Sequence, residues 1–271
     1  MMPIIKWAGS KRQLLPELKA RVPSEYGRYV EPFLGSGALF FELLPQRAVL
    51  NDFNPELINT FCCIRDNAEQ LYEMLLVYHG EYNALLNQKD RDDYYYNKRD
   101  EFNQRMQGDL GVLDASLFIF LNKTCYNGLY RVNGTGAFNT PSGKKKTFSL
   151  CTRNQLLRCS NALAGKEIMN VDFELACQDL QRGDFVYFDS PYYSTFDTYQ
   201  PGGFPESEHI RLSKLFKQLA KEGVFCLLSN SNTDFIKKLY SDYTIDIVPV
   251  KRMINCDGQN RTGTEVVVKN Y

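Results

Sequence analysis

Apolar positions along the chain fall into runs with different periods. Phe185-Val186-Tyr187-Phe188 and Val224-Phe225-Cys226-Leu227-Leu228 are nearly continuous, without the alternation of a half-solvated strand, and predict buried parallel strands. Residues 168–171 and 29–31 read as further strands; the latter enters a Gly-rich turn followed by a helix at 38–44 and a short strand at 48–52. From 54 to about 121 the apolar residues recur at helical spacing, as in Leu57, Ile58 and Phe61, then Leu71, Leu75 and Leu76. Residues 151–163 predict another helix, and 207–221 a crossover helix between two buried strands. Residues 243–250 alternate, and 265–268 form a second β-rich run across a Gly-rich connection, which predicts an antiparallel pair at a sheet edge.

Residues 122–147 follow neither period. They mix Gly, Asn, Thr and aromatic residues with Lys and Arg, and read as a long ordered loop or hairpin. Such loops usually carry function, because an idle one costs entropy and packs poorly. The pattern therefore predicts an α/β sheet that begins at the amino end, is interrupted by a mainly helical insertion and resumes to the carboxyl end. Ligand is expected at the carboxyl ends of its strands.

Composition narrows the class. The 271 residues are 44% apolar and 24% charged, which excludes a mainly disordered chain. No apolar run approaches the ~18 residues of a membrane span, so a cytoplasmic protein without membrane contact is expected. The eight cysteines are scattered, only Cys62 and Cys63 being neighbours, and neither His79 nor His209 lies near a cysteine; reduced thiols and no metal site follow. Net charge is zero, yet its distribution is uneven. No acidic residue occurs between Ala115 and Lys166, where Lys123, Arg131, Lys144, Lys145, Lys146, Arg153, Arg158 and Lys166 lie. By itself this fits two solvated faces of opposite sign as well as it fits a polyanionic partner.

Two motifs carry chemistry. Glu31-Pro32-Phe33-Leu34-Gly35-Ser36-Gly37 links a strand to a helix, where glycines permit a tight turn and close approach of a ligand. A lone Gly-x-Gly is commonly only a turn, but Asp52 closes the next strand fifteen residues past Gly37, where a carboxylate can accept hydrogen bonds from both ribose hydroxyls of a nucleoside. Asp189-Ser190-Pro191-Tyr192 directly follows the strand at 185–188. It can be a simple strand-end turn. It also supplies a carboxylate and the Ser190 carbonyl as acceptors for an amino group, a proline that stiffens the turn, and the flat face of Tyr192 for a base.

Further segments complete an ordered set: Lys6-Trp7-Ala8-Gly9-Ser10-Lys11, Asn51-Asp52-Phe53-Asn54, Cys125-Tyr126-Asn127-Gly128-Leu129-Tyr130-Arg131, Gly136-Ala137-Phe138-Asn139-Thr140-Pro141-Ser142-Gly143, Leu228-Ser229-Asn230 and Glu265-Val266-Val267-Val268. Over nearly its whole length the chain resembles the Dam-type (class alpha) DNA adenine-N6 methyltransferases. The resemblance implies a Rossmann-like S-adenosyl-L-methionine-dependent methyltransferase sheet with an antiparallel edge strand, formed by residues 1–55 and 156–271, and a mainly helical target-recognition insertion at 56–155. It implies a site-specific enzyme, working as a monomer on double-stranded DNA, that flips an adenine, by expectation within GATC, and methylates N6.

Carried over, the family pattern assigns Trp7, Lys11, Phe33, Gly35, Gly37, Asp52 and Asp189 to the cofactor, and Asp189, Ser190, Pro191 and Tyr192 to catalysis. It assigns Lys6, Asn127, Leu129, Arg131, Pro141, Lys144 and Lys145 to DNA. Arg and Asn can read bases bidentately, while lysines mainly hold phosphates. Trp7, the only tryptophan, suits a core position as well as a cofactor wall. Ser190 departs from the family, where proline is usual. Because a backbone carbonyl is what the position supplies, and Pro191 already biases Ser190 to extended geometry, retained but reduced activity is expected. The alternatives are a silent cofactor- and DNA-binding homologue, an N4-cytosine methyltransferase, disfavoured by Asp189 in place of serine, and methylation of a free small molecule, which leaves the basic insertion without purpose.

Overall fold

The computed structural model describes residues 3–9, 11–105, 108–193, 203–251 and 262–271. Ser10 of the Lys6 to Lys11 segment and the Gly-rich connection before the last strand lie outside them. In chain order the elements are α1 (Leu15–Lys19), β1 (Tyr29–Glu31), α2 (Ala38–Leu43), β2 (Ala48–Asn51), α3 (Pro55–Asp66), α4 (Ala68–Ala84), α5 (Gln88–Arg105), α6 (Val112–Thr124), α7 (Arg153–Leu163), β3 (Glu167–Met169), α8 (Phe173–Ala176), β4 (Phe185–Phe188), α9 (Glu206–Glu222), β5 (Phe225–Ser231), α10 (Asp234–Leu239), β6 (Thr244–Lys251) and β7 (Thr262–Lys269). They group into two compact units: Met1–Ser10, Gly35–Gly37 and Phe53–Asn170 in the first, Lys11–Leu34, Ala38–Asp52 and Val171–Tyr271 in the second.

In the second unit six strands lie in the order β2-β1-β4-β5-β7-β6. β2, β1, β4 and β5 are parallel, with Val30 opposite Val49 and Val186, and Val186 opposite Cys226. β4 lies between β1 and β5 and every residue of it is buried, the reason its sequence is apolar without alternation. β7 runs against both β5 and β6, so the antiparallel pair expected at the edge is present and the reversed strand is the one inside it. α9 is the long crossover, ended by Gly223 in the left-handed conformation at φ 84°. The parallel order sets the carboxyl ends of β2, β1 and β4 side by side, which brings Asp52, Pro32 and Asp189 to one rim.

The first unit is built around α6. Its residues Ala115 to Leu121 are all buried, as a helix packed by α3, α4 and α5 on several sides requires. Of the residues of α5, Tyr95 and Phe102, two turns apart, are the buried ones. α3 starts on Asn54, whose side chain accepts from Leu57 N at 2.7 Å ahead of Pro55, and α7 on a Thr152/Gln155 capping box. α6 continues to Thr124, three residues past the expected helix end, where Thr124 Oγ1 donates to the Phe120 carbonyl at 2.7 Å.

Candidate functional site

A polar cluster of the second unit begins where β4 ends. Lys11, in a single 3₁₀ turn, puts its ammonium 2.7 Å from Asp189 Oδ1 and 4.4 Å from the centre of the Tyr192 ring. Ser229 Oγ on β5 donates to the same Asp189 oxygen at 3.0 Å. Since that donation uses the only proton of Ser229, the 2.8 Å contact with Tyr187 has the phenol as donor. Asp189 is thus held by a relay from Tyr187 through Ser229 and by one buried cation. Burial raises its pKa, and Lys11 and Ser229 oppose that rise. Tyr192 is fixed at its far end, donating to Glu265 Oε2 of β7 at 2.5 Å. Burial and the adjacent Asp189 and Glu265 carboxylates push the phenol upward, which keeps it a donor.

Ser190 is buried, with its hydroxyl accepting from Asn230 Nδ2 at 3.2 Å. Phe33, beyond β1, lies in an aromatic cluster with Phe173 at 5.3 Å and Phe204 at 5.8 Å between ring centroids. Asp52 follows Asn51, which ties the rim together: Asn51 Nδ2 donates to the Pro32 carbonyl at 2.9 Å and the Val171 carbonyl at 3.0 Å, and Asn51 Oδ1 accepts from Val171 N. Glu31 at the end of β1 is buried and accepts from Tyr29 Oη at 2.7 Å. Desolvation, reinforced by Asp189 and Asp52, raises its pKa well above the carboxylate range.

In the first unit Trp7 stacks on Tyr130 at 5.6 Å and Phe118 at 6.4 Å, and Tyr130 Oη donates to buried Glu56 at 3.1 Å. Gly35 and Gly37 have φ of 50° and 67°, and a Cβ on Gly35 would come within 2.9 Å of Trp7 Cδ1. The glycine there is required both by its backbone and by the indole.

The expected DNA-contacting residues other than Lys6 lie together on the loop after α6. Asn122, buried, pairs with both backbone groups of Lys6, accepting from its N–H at 2.8 Å and donating to its carbonyl at 2.7 Å. Gly128 leaves no room for a Cβ, which would meet Lys6 Cδ at 2.8 Å. Lys6 is therefore seated beside Asn127, an exposed residue at φ 55°. Arg131 and Asn139 face each other in a hairpin: Asn139 N donates to the Arg131 carbonyl at 2.9 Å, and Arg131 Nε to Asn139 Oδ1 at 2.7 Å. Leu129 and Pro141 stand on the two arms, the Leu129 carbonyl accepting from Thr140 Oγ1 at 3.0 Å and the Pro141 carbonyl from Tyr126 N at 2.9 Å. Lys144 is exposed with φ 50°, and the Lys145 carbonyl is anchored by Tyr82 Oη at 2.8 Å. Asn127 and Lys144 are thus two non-glycine residues of one loop with left-handed backbone.

Sequence reasoning gave no role to Tyr187, Ser229, Asn230, Glu265 or Glu31, all of which surround Asp189 to Tyr192 or the adjoining strand end. A usable signal existed: Ser229 and Asn230 are polar residues directly continuing an apolar strand, and polar groups at such positions need partners.

Residues 7–255 match the model of the D12 class N6 adenine-specific DNA methyltransferases. The type II methyltransferase M1.LlaDCHI of Lactococcus lactis subsp. cremoris is 39% identical, covering all of this chain and 96% of its own length. The type II methyltransferase M.MjaIII of Methanocaldococcus jannaschii is 37% identical, covering 99% of each chain. The retron Ec67 DNA adenine methylase of Escherichia coli is 32% identical over 98% of this chain and 90% of its own. With a family match over nearly the full length and a strand-end acceptor cluster of the required chemistry, the chain belongs to the D12 class N6 adenine-specific DNA methyltransferases.

Proposed function

We propose that the chain moves a methyl group from S-adenosyl-L-methionine to N6 of an adenine flipped out of duplex DNA, within GATC, as the modifying partner of a restriction-modification system. The observation that carries the chemistry is the Lys11 ammonium held between the Asp189 carboxylate and the face of Tyr192. A nitrogen bearing hydrogens and positive charge is already stabilised there, and an adenine amine gaining a methyl becomes one.

The N6 lone pair of adenine is delocalised into the ring, so positioning dominates catalysis. Bound cofactor supplies an activated sulfonium methyl. Asp52 has the acceptor chemistry to hold its ribose hydroxyls, and Phe33 offers an apolar wall next to that rim. Flipping costs a few kcal/mol, offset by stacking on Tyr192 and by hydrogen bonds to Asp189 and the Ser190 carbonyl. These two acceptors take both N6 hydrogens, turn the lone pair outward and stabilise the cationic nitrogen as it forms. Entry of the base requires Lys11 to withdraw from Asp189. Residues 56–155 serve target recognition and residues 1–55 and 156–271 the chemistry, with Arg131 and Asn127 at base edges, Leu129 and Pro141 shaping the contact, and Lys6, Lys144 and Lys145 on the DNA backbone.

Expression in a host without adenine methylation, followed by sequencing of its DNA for modified bases, tests this reading. N6-methyladenine confined to one short duplex sequence is expected, and GATC is the sequence named; absence of modified adenine in every context refutes the function, and a different sequence refutes the specificity alone.

A further inference from the structure

We infer that Asn230 is a positioning residue for methyl transfer, and that it supplies through the Ser190 hydroxyl the fixity that a proline ring gives at that position. The inference rests on the catalytic reading of Asp189 to Tyr192. Three consecutive residues at the end of β5 each hold a different part of that segment. Ser229 Oγ donates to Asp189, Asn230 Nδ2 to Ser190 Oγ at 3.2 Å, and Ser231 Oγ to the Tyr193 carbonyl at 2.9 Å. Asn230 Oδ1 in addition accepts from Tyr193 N at 3.1 Å and from Ser231 N at 2.8 Å.

The orientation of the Asn230 amide follows from these partners. Backbone N–H groups can only donate, so the oxygen faces Tyr193 and Ser231, and the nitrogen must face Ser190. One amide thereby grips residue 190 with its nitrogen and residue 193 with its oxygen, leaving Pro191 and Tyr192 suspended between two fixed ends. Asn230 and Ser190 are each about 1% exposed, so water does not compete for either contact.

A proline at 190 would fix φ covalently but would offer Asn230 Nδ2 no acceptor. Serine leaves φ free, and its hydroxyl returns the restraint from across the sheet. The restraint matters because the neighbouring carbonyl must meet one N6 hydrogen, and errors well below 1 Å in such placements reduce rate strongly. Losing the hydroxyl strands a buried amide donor and frees the segment it held, and a misplacement of about 1 Å at such a site can cost about a hundredfold in rate.

The test is a double-mutant cycle on the full-length chain, with Ser190→Ala, Asn230→Ala and the double variant, measured as methyl incorporation into an adenine-containing duplex. Ser190→Ala, which removes one buried oxygen and should fold normally, is expected to lower kcat by up to about a hundredfold while KM for the cofactor stays within about twofold. The double variant is expected to be little slower than Asn230→Ala alone, because the two residues act through one contact. Ser190→Ala at the wild-type kcat, a loss confined to KM, or additive losses in the cycle would overturn the inference while leaving the function standing. A wild-type chain that methylates no adenine would remove both together.

Discussion

Replacing Lys11 by methionine removes a charge while keeping an unbranched apolar stem of similar reach. In the native chain the ammonium lies 2.7 Å from Asp189 Oδ1, and Lys11 is only 7% exposed, so solvent screens the pair little. An opposite charge this close ordinarily lowers a carboxylate by about 1–3 pKa units. Burial already drives Asp189 upward against that pull. Without Lys11 only the Ser229 hydroxyl still favours the anion, and the Asp189 pKa must rise further.

The sign of the activity change follows. Asp189 accepts an N6 hydrogen as an anion, so turnover falls as pH drops through its pKa, and raising that pKa moves the acid limb upward. In Lys11→Met the acid limb of kcat/KM for DNA, which reports the enzyme before the base displaces Lys11, should move toward alkali, with about a tenfold loss of rate per pH unit below it. Above the limb the variant should bind a flipped adenine more readily, since no cation over Tyr192 has to be displaced. Measurement at saturating cofactor separates this from any contact of Lys11 with the cofactor itself. An acid limb that stays in place or moves to lower pH would refute the pairing as the control of Asp189.

Three other changes test neighbouring parts. Gly143→Ala would bring a Cβ to 2.4 Å from the Cys125 carbonyl oxygen and 2.7 Å from that of Thr124, both backbone, so the loop must shift; DNA affinity in gel shifts should drop at least about tenfold, ~1.4 kcal/mol, with calorimetric cofactor affinity unchanged. Lys144→Ala with Lys145→Ala should flatten the slope of log affinity against log salt by up to about 1.8, two phosphates' worth, while leaving the preferred sequence as it was. Glu31→Gln should help folding increasingly at alkaline pH. The raised Glu31 pKa gives a contribution that is complete below the usual carboxylate range and disappears as pH rises through the folded value, a loss glutamine does not suffer. The Tm difference between variant and wild type, followed upward from the usual carboxylate range, should therefore widen in the variant's favour until the folded value is passed.

What the sequence disclosed depended on how local the responsible physics was. β4 was readable because burial on both faces demands four successive apolar side chains, and α9 because one face of a surface helix repeats at helical spacing. Asp189 to Tyr192 was readable because acid, proline and aromatic act from contiguous positions. The loop after α6 had no period because its backbone is satisfied by side chains far away in sequence. Asn103 on α5 exchanges two hydrogen bonds with Phe138, Asn83 on α4 does the same with Phe148, and Tyr95 Oη donates to the Thr140 carbonyl. An asparagine amide presents the same donor and acceptor as a peptide group, so it replaces a neighbouring strand without leaving any alternation to detect.

The same argument explains why the surroundings of Asp189 were hidden. Apolarity ends the readable part of β5 at Leu228, yet the strand continues to Ser231, because Ser229, Asn230 and Ser231 are satisfied by Asp189, Ser190 and Tyr193 and not by solvent. A polar tail on a buried strand is stable only if something specific receives it. The three polar residues and the segment they hold are therefore one unit of design distributed over two strands. Ser190 is better understood within that unit than against proline at its own position, since the Asn230 donor opposite it is already committed to an oxygen. Ser190→Pro in this chain is accordingly expected to gain a rigid φ and to lose a buried hydrogen bond, and to fall short of a full gain in rate unless Asn230 is changed with it.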